Sequence, residues 1–249
     1  LLPGVMTVVV LIGLLTAFWA AVAGLFQNDI KKVLAYSTIS QLGYMFMAAG
    51  VAAFDVSIFH VFTHAFFKAA LFLGAGAVIH ALAGEQDMRK MGGMLKKTPV
   101  TACVMIFAFL AIIGFPGFAG FWSKDLILER LYVSGPMGPF LYMMALLTAV
   151  ITAIYMGRLM VLTFFGKYRG GEESEKHIHE APASMLIPMV ILSLGSIFAG
   201  FLWAGLIPGA NLFEQTLAPV VGQAQAAFGH ASVHVSPWLF AVLGTIAAV

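Results

Sequence analysis

The sequence predicts an all-α integral membrane protein, a multi-span bundle of transmembrane helices with one broken helix. Hydrophobic residues make up 61% of the 249 residues, charged residues make up 10%, and the mean hydropathy is +0.97. A soluble domain carries about 25% charged residues. The apolar runs are long and continuous, whereas the strands of a membrane barrel alternate polar and apolar residues over about ten positions. The composition therefore indicates a membrane protein built from helices.

Apolar runs between charged or turn-rich segments predict about seven spans. The predicted spans are residues 3–26, 33–53, 57–83, 99–133, 138–165, 183–206 and 236–249. The last run is shorter than the roughly 20 residues that a span needs, and the chain begins at Leu1 rather than at a methionine. We therefore expect a fragment of a longer protein, with its seventh span truncated.

The fourth predicted span is too long for one simple crossing and contains "GFPGFAGF" at residues 114–121. Pro116 removes a backbone donor, and the flanking glycines loosen the helix. We expect a break at membrane depth, where the freed backbone groups must face protein or water. Broken helices of this kind mark ion pathways in transporters, although a kink without a functional role would leave the same pattern.

Lysine and arginine alternate between the connecting loops. The basic residues lie in the first loop (Lys31, Lys32), the third (Arg89, Lys90, Lys96, Lys97) and the fifth (Lys167, Arg169, Lys176). The loops at 54–56, 134–138 and 207–235 contain none. By the positive-inside rule the odd-numbered loops face the cytoplasm, so the amino-terminal end of the chain lies on the outer side.

The stretch "FHVFTHAFFK" (59–68) places His60, His64 and Lys68 four residues apart, on one face of a helix. A charged side chain at the centre of a bilayer costs about 2.5–3.5 kcal/mol on insertion scales, so such residues indicate function. Histidine exchanges protons near neutral pH, and burial disfavours the charged form of a lysine, which can then release its proton. The stripe predicts a proton relay; the alternative is a set of buried polar groups that join helices.

A second ionisable pair, Lys124 and Asp125, follows the predicted break in "FWSKDLILER". Its position favours a gated site, although the end of a snorkelling helix would look similar. Arg158 is expected to snorkel from the end of the fifth span. The polar stretch "LAYSTISQLGYM" (34–45) is compatible with hydrogen bonds between helices or with a water path. The single cysteine, Cys103, gives no metal-site spacing, and no phosphate-binding glycine motif is present.

Four segments carry a family resemblance. They are "FQNDIKKVLAYSTISQLGYMF" (26–46), "FHVFTHAFFKAALFLGAGAVIHA" (59–81), "QDMRKMGGM" (86–94) and "GFWSKDLIL" (120–128). In order and spacing they resemble the NuoL-type antiporter-like subunits of respiratory complex I, through about residue 166. The lysine in the broken helix fits this type, because the NuoM-type sister subunit typically has a glutamate there.

The resemblance implies a fold and a function. Residues 1–166 would form the second five-helix repeat of an antiporter-like proton channel, and residues 167–249 the carboxy-terminal spans, the last one truncated. The chain would translocate protons as a membrane subunit of NADH:quinone oxidoreductase, driven by quinone reduction elsewhere in the complex. Lys68 would lie on the proton axis with His60 and His64 beside it. Lys124 would lie near the outward exit, next to Asp125.

The resemblance also implies partners. NAD, FMN, iron–sulfur clusters and quinone would be bound by partner subunits, and no cofactor or metal by this chain. The neighbours would be other membrane subunits, especially a NuoM-type subunit, in a bacterial inner membrane with the amino-terminal end on the periplasmic side; nothing indicates nucleic-acid binding. One alternative is the large subunit of a multisubunit Na⁺/H⁺ antiporter, which shares the histidine–lysine segment and the broken helix. Another is a membrane scaffold without ion transfer.

The charge alternation yields a topology prediction. Residues 86–97 and 167–180 should face the cytoplasm, and residues 209–234 should face outward, because Lys and Arg are retained on the inner side. Single cysteines placed in these loops, in a Cys103→Ser background, can be probed with an impermeant thiol reagent. Labelling of the 86–97 loop from outside intact cells would contradict the topology.

Overall fold

The computed structural model describes residues 3–202 and 215–222, and these residues are almost entirely helical. The helices are α1 (Pro3–Leu25), α2 (Ile30–Gly50), α3 (Phe54–Ala81), α4 (Met94–Lys97), α5 (Pro99–Ile113), α6 (Ala119–Tyr132), α7 (Gly138–Phe164), α8 (Glu172–Glu175) and α9 (Ala183–Phe198), with 3₁₀ turns at Met88–Lys90 and Ala199–Leu202. Within the described ranges no strand is present beyond a single bridge between Asp29 and Asp87. The predicted all-α fold class is confirmed.

The span count is less sharply defined than the fold class. Four helices of the described part are long and apolar enough to cross a membrane: Gly4–Leu25, Phe54–Ala81, Gly138–Phe164 and Ala183–Leu202. Helix α2 is 21 residues long, which spans about 31 Å, but the polar stretch at 34–45 lowers its hydropathy. Predicted span four corresponds to two shorter helices, α5 and α6. The predicted seventh span, residues 236–249, lies outside the described residues.

The predicted break in span four is confirmed. Helix α5 ends at Ile113, and Gly114 takes a left-handed conformation with φ 84°. The N–H groups of Gly114 and Phe115 donate back to the carbonyls of Ala111 (3.1 Å) and Leu110 (2.9 Å), which closes the helix end. Helix α6 then begins at Ala119. Gly120 packs so closely on the Ala111 carbonyl that no Cβ would fit, so the second half starts directly against the end of the first.

Helices α1 and α2 form an antiparallel pair in close backbone contact. A Cβ on Gly43 would lie 2.5 Å from the Ala17 nitrogen and 2.6 Å from the Gly13 oxygen. Small residues allow this approach, which is the usual way in which membrane helices gain packing energy without a hydrophobic driving force. The Ser40 hydroxyl adds a bond to the Ala17 carbonyl at 2.9 Å.

Two apolar clusters fill the bundle. The larger joins the later half of α3 to α5, α7 and α9 and includes Phe67. The smaller joins α1, α2, α6 and the first half of α7 and includes Val56 and Ile127. Because Val56 and Phe67 lie on either side of His60 and His64 along α3, the two histidines are held between the clusters, six or more residues from either end of the helix.

Arginine side chains tie the loops together at one end of the bundle. Arg158 donates to the carbonyl of Gln27 at 2.6 Å and to the side-chain oxygen of Asn28. Its guanidinium therefore binds the loop between α1 and α2, and that it snorkels stays a prediction. In the loop between α3 and α4 the Arg89 guanidinium, together with the Arg89 backbone amide, lowers the pKa of Asp87 to about 2, so this carboxylate stays ionised at neutral pH.

The α1–α2 contact generates a stability prediction. Gly43→Ala should destabilise the bundle by about 1–3 kcal/mol, because the added methyl group overpacks two backbones that cannot separate. Gly76→Ala in α3 is the matched control, since a Cβ there meets nothing within 4 Å. The measurement is the midpoint temperature of thermal unfolding of the purified protein in detergent. Equal stability of the two variants would contradict the close packing.

Candidate functional site

The predicted stripe on α3 is buried. The exposed fractions of His60, His64 and Lys68 are 1%, 8% and 5%. The two imidazole rings lie 6.1 Å apart, centroid to centroid. From His60 to Lys68 the helix rises by about 12 Å. The structure thus places three protonatable side chains in one buried column, as the spacing predicted.

His60 is the centre of a hydrogen-bond network that joins three helices. Its Nδ1 lies 2.8 Å from the Ser123 hydroxyl of α6, and its Nε2 lies 3.1 Å from Oε1 of Gln41 in α2. The Thr63 hydroxyl, one turn further along α3, donates to Ser123 Oγ at 2.8 Å. Ser123 also lies 3.3 Å from the Ala119 carbonyl. Both ring nitrogens of His60 therefore have a protein partner.

His64 and Lys68 differ from His60 in this respect. In the part of the chain that the structure describes, neither His64 Nε2 nor Lys68 Nζ has a hydrogen-bond partner. Phe67 packs edge-on against the His64 ring at 5.3 Å, and Lys68 Nζ lies 5.6 Å from the centre of the Phe72 ring. A buried ammonium group without a hydrogen-bond acceptor is costly. The surroundings therefore favour a lysine that can give up its proton.

Lys124 faces the same interior from α6. It is 3% exposed, its Nζ lies 5.3 Å from the centre of the Tyr44 ring, and no described residue accepts a hydrogen bond from it. The hydroxyl of Tyr44 is bound to the Ala145 carbonyl of α7, which fixes the ring. Lys124 also interacts electrostatically with His60. The structure thus joins the broken helix to the α3 stripe.

Asp125 is adjacent to Lys124 in sequence but points about 100° away around the helix. Its Oδ2 is buried, and among the described residues neither an ion pair with Lys124 nor a hydrogen bond to that oxygen is present. The carboxylate interacts electrostatically with Lys124 and with Tyr142 of α7. Asp125 therefore lies at the edge of the buried group rather than in its column.

The arrangement can hold and transfer protons. Four buried ionisable groups, His60, His64, Lys68 and Lys124, share one low-dielectric interior. Positive charges in such an interior repel one another strongly, so a proton on one group disfavours a proton on the next. A column with this property can pass charge stepwise. In the ranges that the structure covers, no group of three or more His, Cys, Asp or Glu side chains has metal-binding geometry.

Three members of the network were not singled out from the sequence: Gln41, Thr63 and Ser123. Gln41 lies in the polar stretch of α2, which was compatible with hydrogen bonds between helices or with a water path. In the structure two of its residues make hydrogen bonds between helices: Ser40 to the α1 backbone and Gln41 to His60. Thr63 follows His60 by three residues and Ser123 directly precedes Lys124, so proximity to the ionisable residues is the signal that could have found them.

Comparison with known sequences places the chain in a family. Residues 2–152 match the family described as NADH:quinone oxidoreductase/Mrp antiporter, TM. The chain belongs to this family. The matched range contains the whole of α2, α3 and α6, the three helices that form the site.

Individual relatives agree with this assignment. The chain is 50% identical over 212 residues to NADH-quinone oxidoreductase subunit L of Rhodobacter capsulatus, covering 81% of this chain and 30% of that protein. It is 44% identical over 247 residues to NADH-ubiquinone oxidoreductase chain 5 of Metridium senile, covering 99% of this chain and 39% of that protein. The chain therefore spans between about three tenths and two fifths of the length of these relatives. The resemblance to NuoL-type subunits is confirmed.

A solved structure shares the fold. The Mrp complex from Dietzia sp. DQ12-45-1b contains a chain that matches with a TM-score of 0.72 and 26% identity. The match covers 95% of this chain and 25% of that chain.

The unequal hydrogen bonding of the column predicts unequal effects on stability. Lys68→Met should leave the stability of the bundle unchanged or raised, because it replaces an unpartnered buried cation with an apolar side chain of similar shape. His60→Leu should cost about 1–3 kcal/mol, because Gln41 Oε1 and the Ser123 hydroxyl lose their partner. The midpoint temperature of thermal unfolding of the purified protein in detergent measures both effects. An equal loss in the two variants would indicate that Lys68 is a structural residue.

Proposed function

We propose that this chain is part of a proton-translocating membrane subunit of NADH:quinone oxidoreductase. Protons move through the buried lysine–histidine column of α3, and quinone reduction in other subunits drives the movement. The single observation that carries this proposal is the column itself: three protonatable side chains at 1–8% exposure among the apolar residues of a membrane helix. A membrane protein retains such groups at considerable cost only where they act.

Each member of the column has a distinct part in the proposal. Lys68 is the site that binds and releases the proton, since its Nζ has no acceptor among the described residues to hold the charged form. His64 and His60 pass protons between Lys68 and the broken helix. Lys124, beside the break in span four, is the site nearest the outer exit. Asp125 modulates the charge of Lys124.

The larger assembly forms part of the same proposal. Residues 1–166 constitute the second five-helix repeat of an antiporter-like channel, and residues 167–249 the carboxy-terminal spans. The relatives named as subunit L and chain 5 of NADH oxidoreductases support membrane partners of that complex, among them a NuoM-type neighbour. NAD, FMN, iron–sulfur clusters and quinone are bound by those partners rather than by this chain. We place the protein in a bacterial inner membrane with its amino-terminal end outside.

A second candidate function is supported by the family description and by the Mrp complex of Dietzia sp.. In that case the chain would belong to a multisubunit cation/proton antiporter without a redox partner. The identity of 44–50% to oxidoreductase subunits over most of the chain favours the first function. The two are separated by the driving reaction, because only the first couples proton movement to quinone reduction.

The proposal predicts how substitutions at Lys68 affect pumping. Lys68→Ala should reduce proton transfer severalfold or more while the complex still assembles. Lys68→Arg should fail nearly as badly, because a guanidinium with a pKa above about 12 keeps its proton and cannot complete a cycle. His64→Ala should have a milder effect, since water can replace one relay member. The measurement is acidification of membrane vesicles driven by quinone reduction, with assembly checked separately.

An exposed lysine on another helix provides the control. Lys96 is exposed on the short helix α4, and Lys96→Arg and Lys96→Ala should both pump normally. Full pumping by an assembled Lys68→Arg complex would remove Lys68 from the pathway and leave the stripe as a structural feature.

A further inference from the structure

We propose that the Ser123 hydroxyl is a positioning group that allows His60 to gain and lose a proton while both of its ring nitrogens keep a hydrogen-bond partner. The inference rests on the proposed function, because it concerns how one member of the buried column changes its protonation state. Ser123 is fully buried in α6, the second half of the broken span. Its hydroxyl joins that half to α3 through His60 and Thr63.

The neutral state of His60 has a complete set of hydrogen bonds. Gln41 Oε1 can only accept, so the His60 Nε2 that lies 3.1 Å away carries a hydrogen. In a neutral imidazole the other nitrogen, Nδ1, is then an acceptor. The Ser123 hydroxyl donates to it across 2.8 Å, and the Thr63 hydroxyl donates to Ser123. In this state each group donates to the next: Thr63 to Ser123, Ser123 to His60, and His60 to Gln41.

The protonated state also has a complete set, through one rotation. When Nδ1 gains a hydrogen it must donate, and Ser123 Oγ must accept. The hydrogen of Ser123 then turns to the Ala119 carbonyl, 3.3 Å away. A hydroxyl oxygen has two lone pairs, so it can accept from both Nδ1 and Thr63. Within the proposed relay the added proton comes from His64 and passes on toward Lys124, so Ser123 keeps its own hydrogen throughout.

The charged groups around His60 make the acceptor Ser123 Oγ important for the protonated ring. His64 of α3 and Lys124 of α6 both interact electrostatically with the ring, and each opposes a positive charge on it. Among the other helices that pack against α3, α2 contributes the ionisable side chain of Tyr44, whose ring lies beside Lys124. Helix α9 has no ionisable side chain, and α5 has only the exposed Cys103. A hydrogen bond to a charged donor is about twice as strong as a neutral one. Loss of the Ser123 hydroxyl therefore penalises protonated His60 more than neutral His60.

The test compares three variants in the complete complex. Ser123→Ala removes the hydroxyl, and Ser123→Thr retains it. Ser196→Ala removes an equally buried hydroxyl that donates to the Leu192 carbonyl of its own helix at 2.9 Å. Protons moved per quinone reduced are measured in membrane vesicles over a range of pH, with assembly checked for each variant.

The expected result is a change in the pH profile. Ser123→Ala should lower the proton ratio severalfold at the alkaline end and shift the pH of half-maximal pumping downward by up to about one unit. At acidic pH its pumping should approach that of the unmodified complex. Ser123→Thr should restore the profile, and Ser196→Ala should not change it.

Other outcomes would overturn the inference. An unchanged Ser123→Ala profile, or a uniform loss at every pH that Ser123→Thr does not rescue, would mean that the hydroxyl has only a structural role. If Ser123→Ala does not assemble, Ser123→Cys keeps the size with a weak donor and acceptor, and the same shift is expected. Full pumping by Lys68→Ala would refute the proposed function. Loss of pumping in Lys68→Ala with a normal Ser123→Ala profile would refute this inference alone.

Discussion

The cost of keeping a positive charge in an apolar interior determines how this site is built. His64 lies between two apolar clusters and Lys68 lies beside Phe67 of the larger one, and the described residues offer neither Lys68 Nζ nor His64 Nε2 a hydrogen-bond partner. A charge on either group has no hydrogen bond to offset its burial. His60 is different, because Gln41 and Ser123 satisfy both of its nitrogens. The column thus combines groups that release protons readily with one that is held in a defined orientation.

The broken span brings the second lysine to the column. An unbroken helix over residues 99–133 would be too long for a single crossing. The turn at Gly114 and the close contact of Gly120 with Ala111 let α6 start anew beside α5. The break therefore places Ser123 and Lys124 against α3. Ser123 forms a hydrogen bond with His60, and Lys124 adds a second basic side chain beside the column. The ring of Tyr44, whose hydroxyl is bound to the Ala145 carbonyl, packs against Lys124 from α2.

Much of this could be predicted from the sequence, and what could not has a physical reason. Composition predicted a helical membrane protein, the four-residue spacing predicted the stripe, and the Pro116 segment predicted the break, because each depends on residues close together in the chain. The bonds from His60 to Gln41 and Ser123 depend on how three helices dock, and periodicity does not determine that. The partner of Arg158 was missed for the same reason. A count of about seven spans remains a prediction, since polar groups lower the hydropathy of α2 and residues 236–249 lie outside the described part.

The central claim is that the buried histidines change protonation state during turnover. The most direct measurement is infrared difference spectroscopy of the complete complex with ring-labelled histidine, before and after quinone reduction. We predict a ring band that converts between neutral and protonated imidazole and that disappears when His60 and His64 are both replaced. A complex that pumps protons without such a band, or with a band unaffected by replacing both histidines, would contradict it.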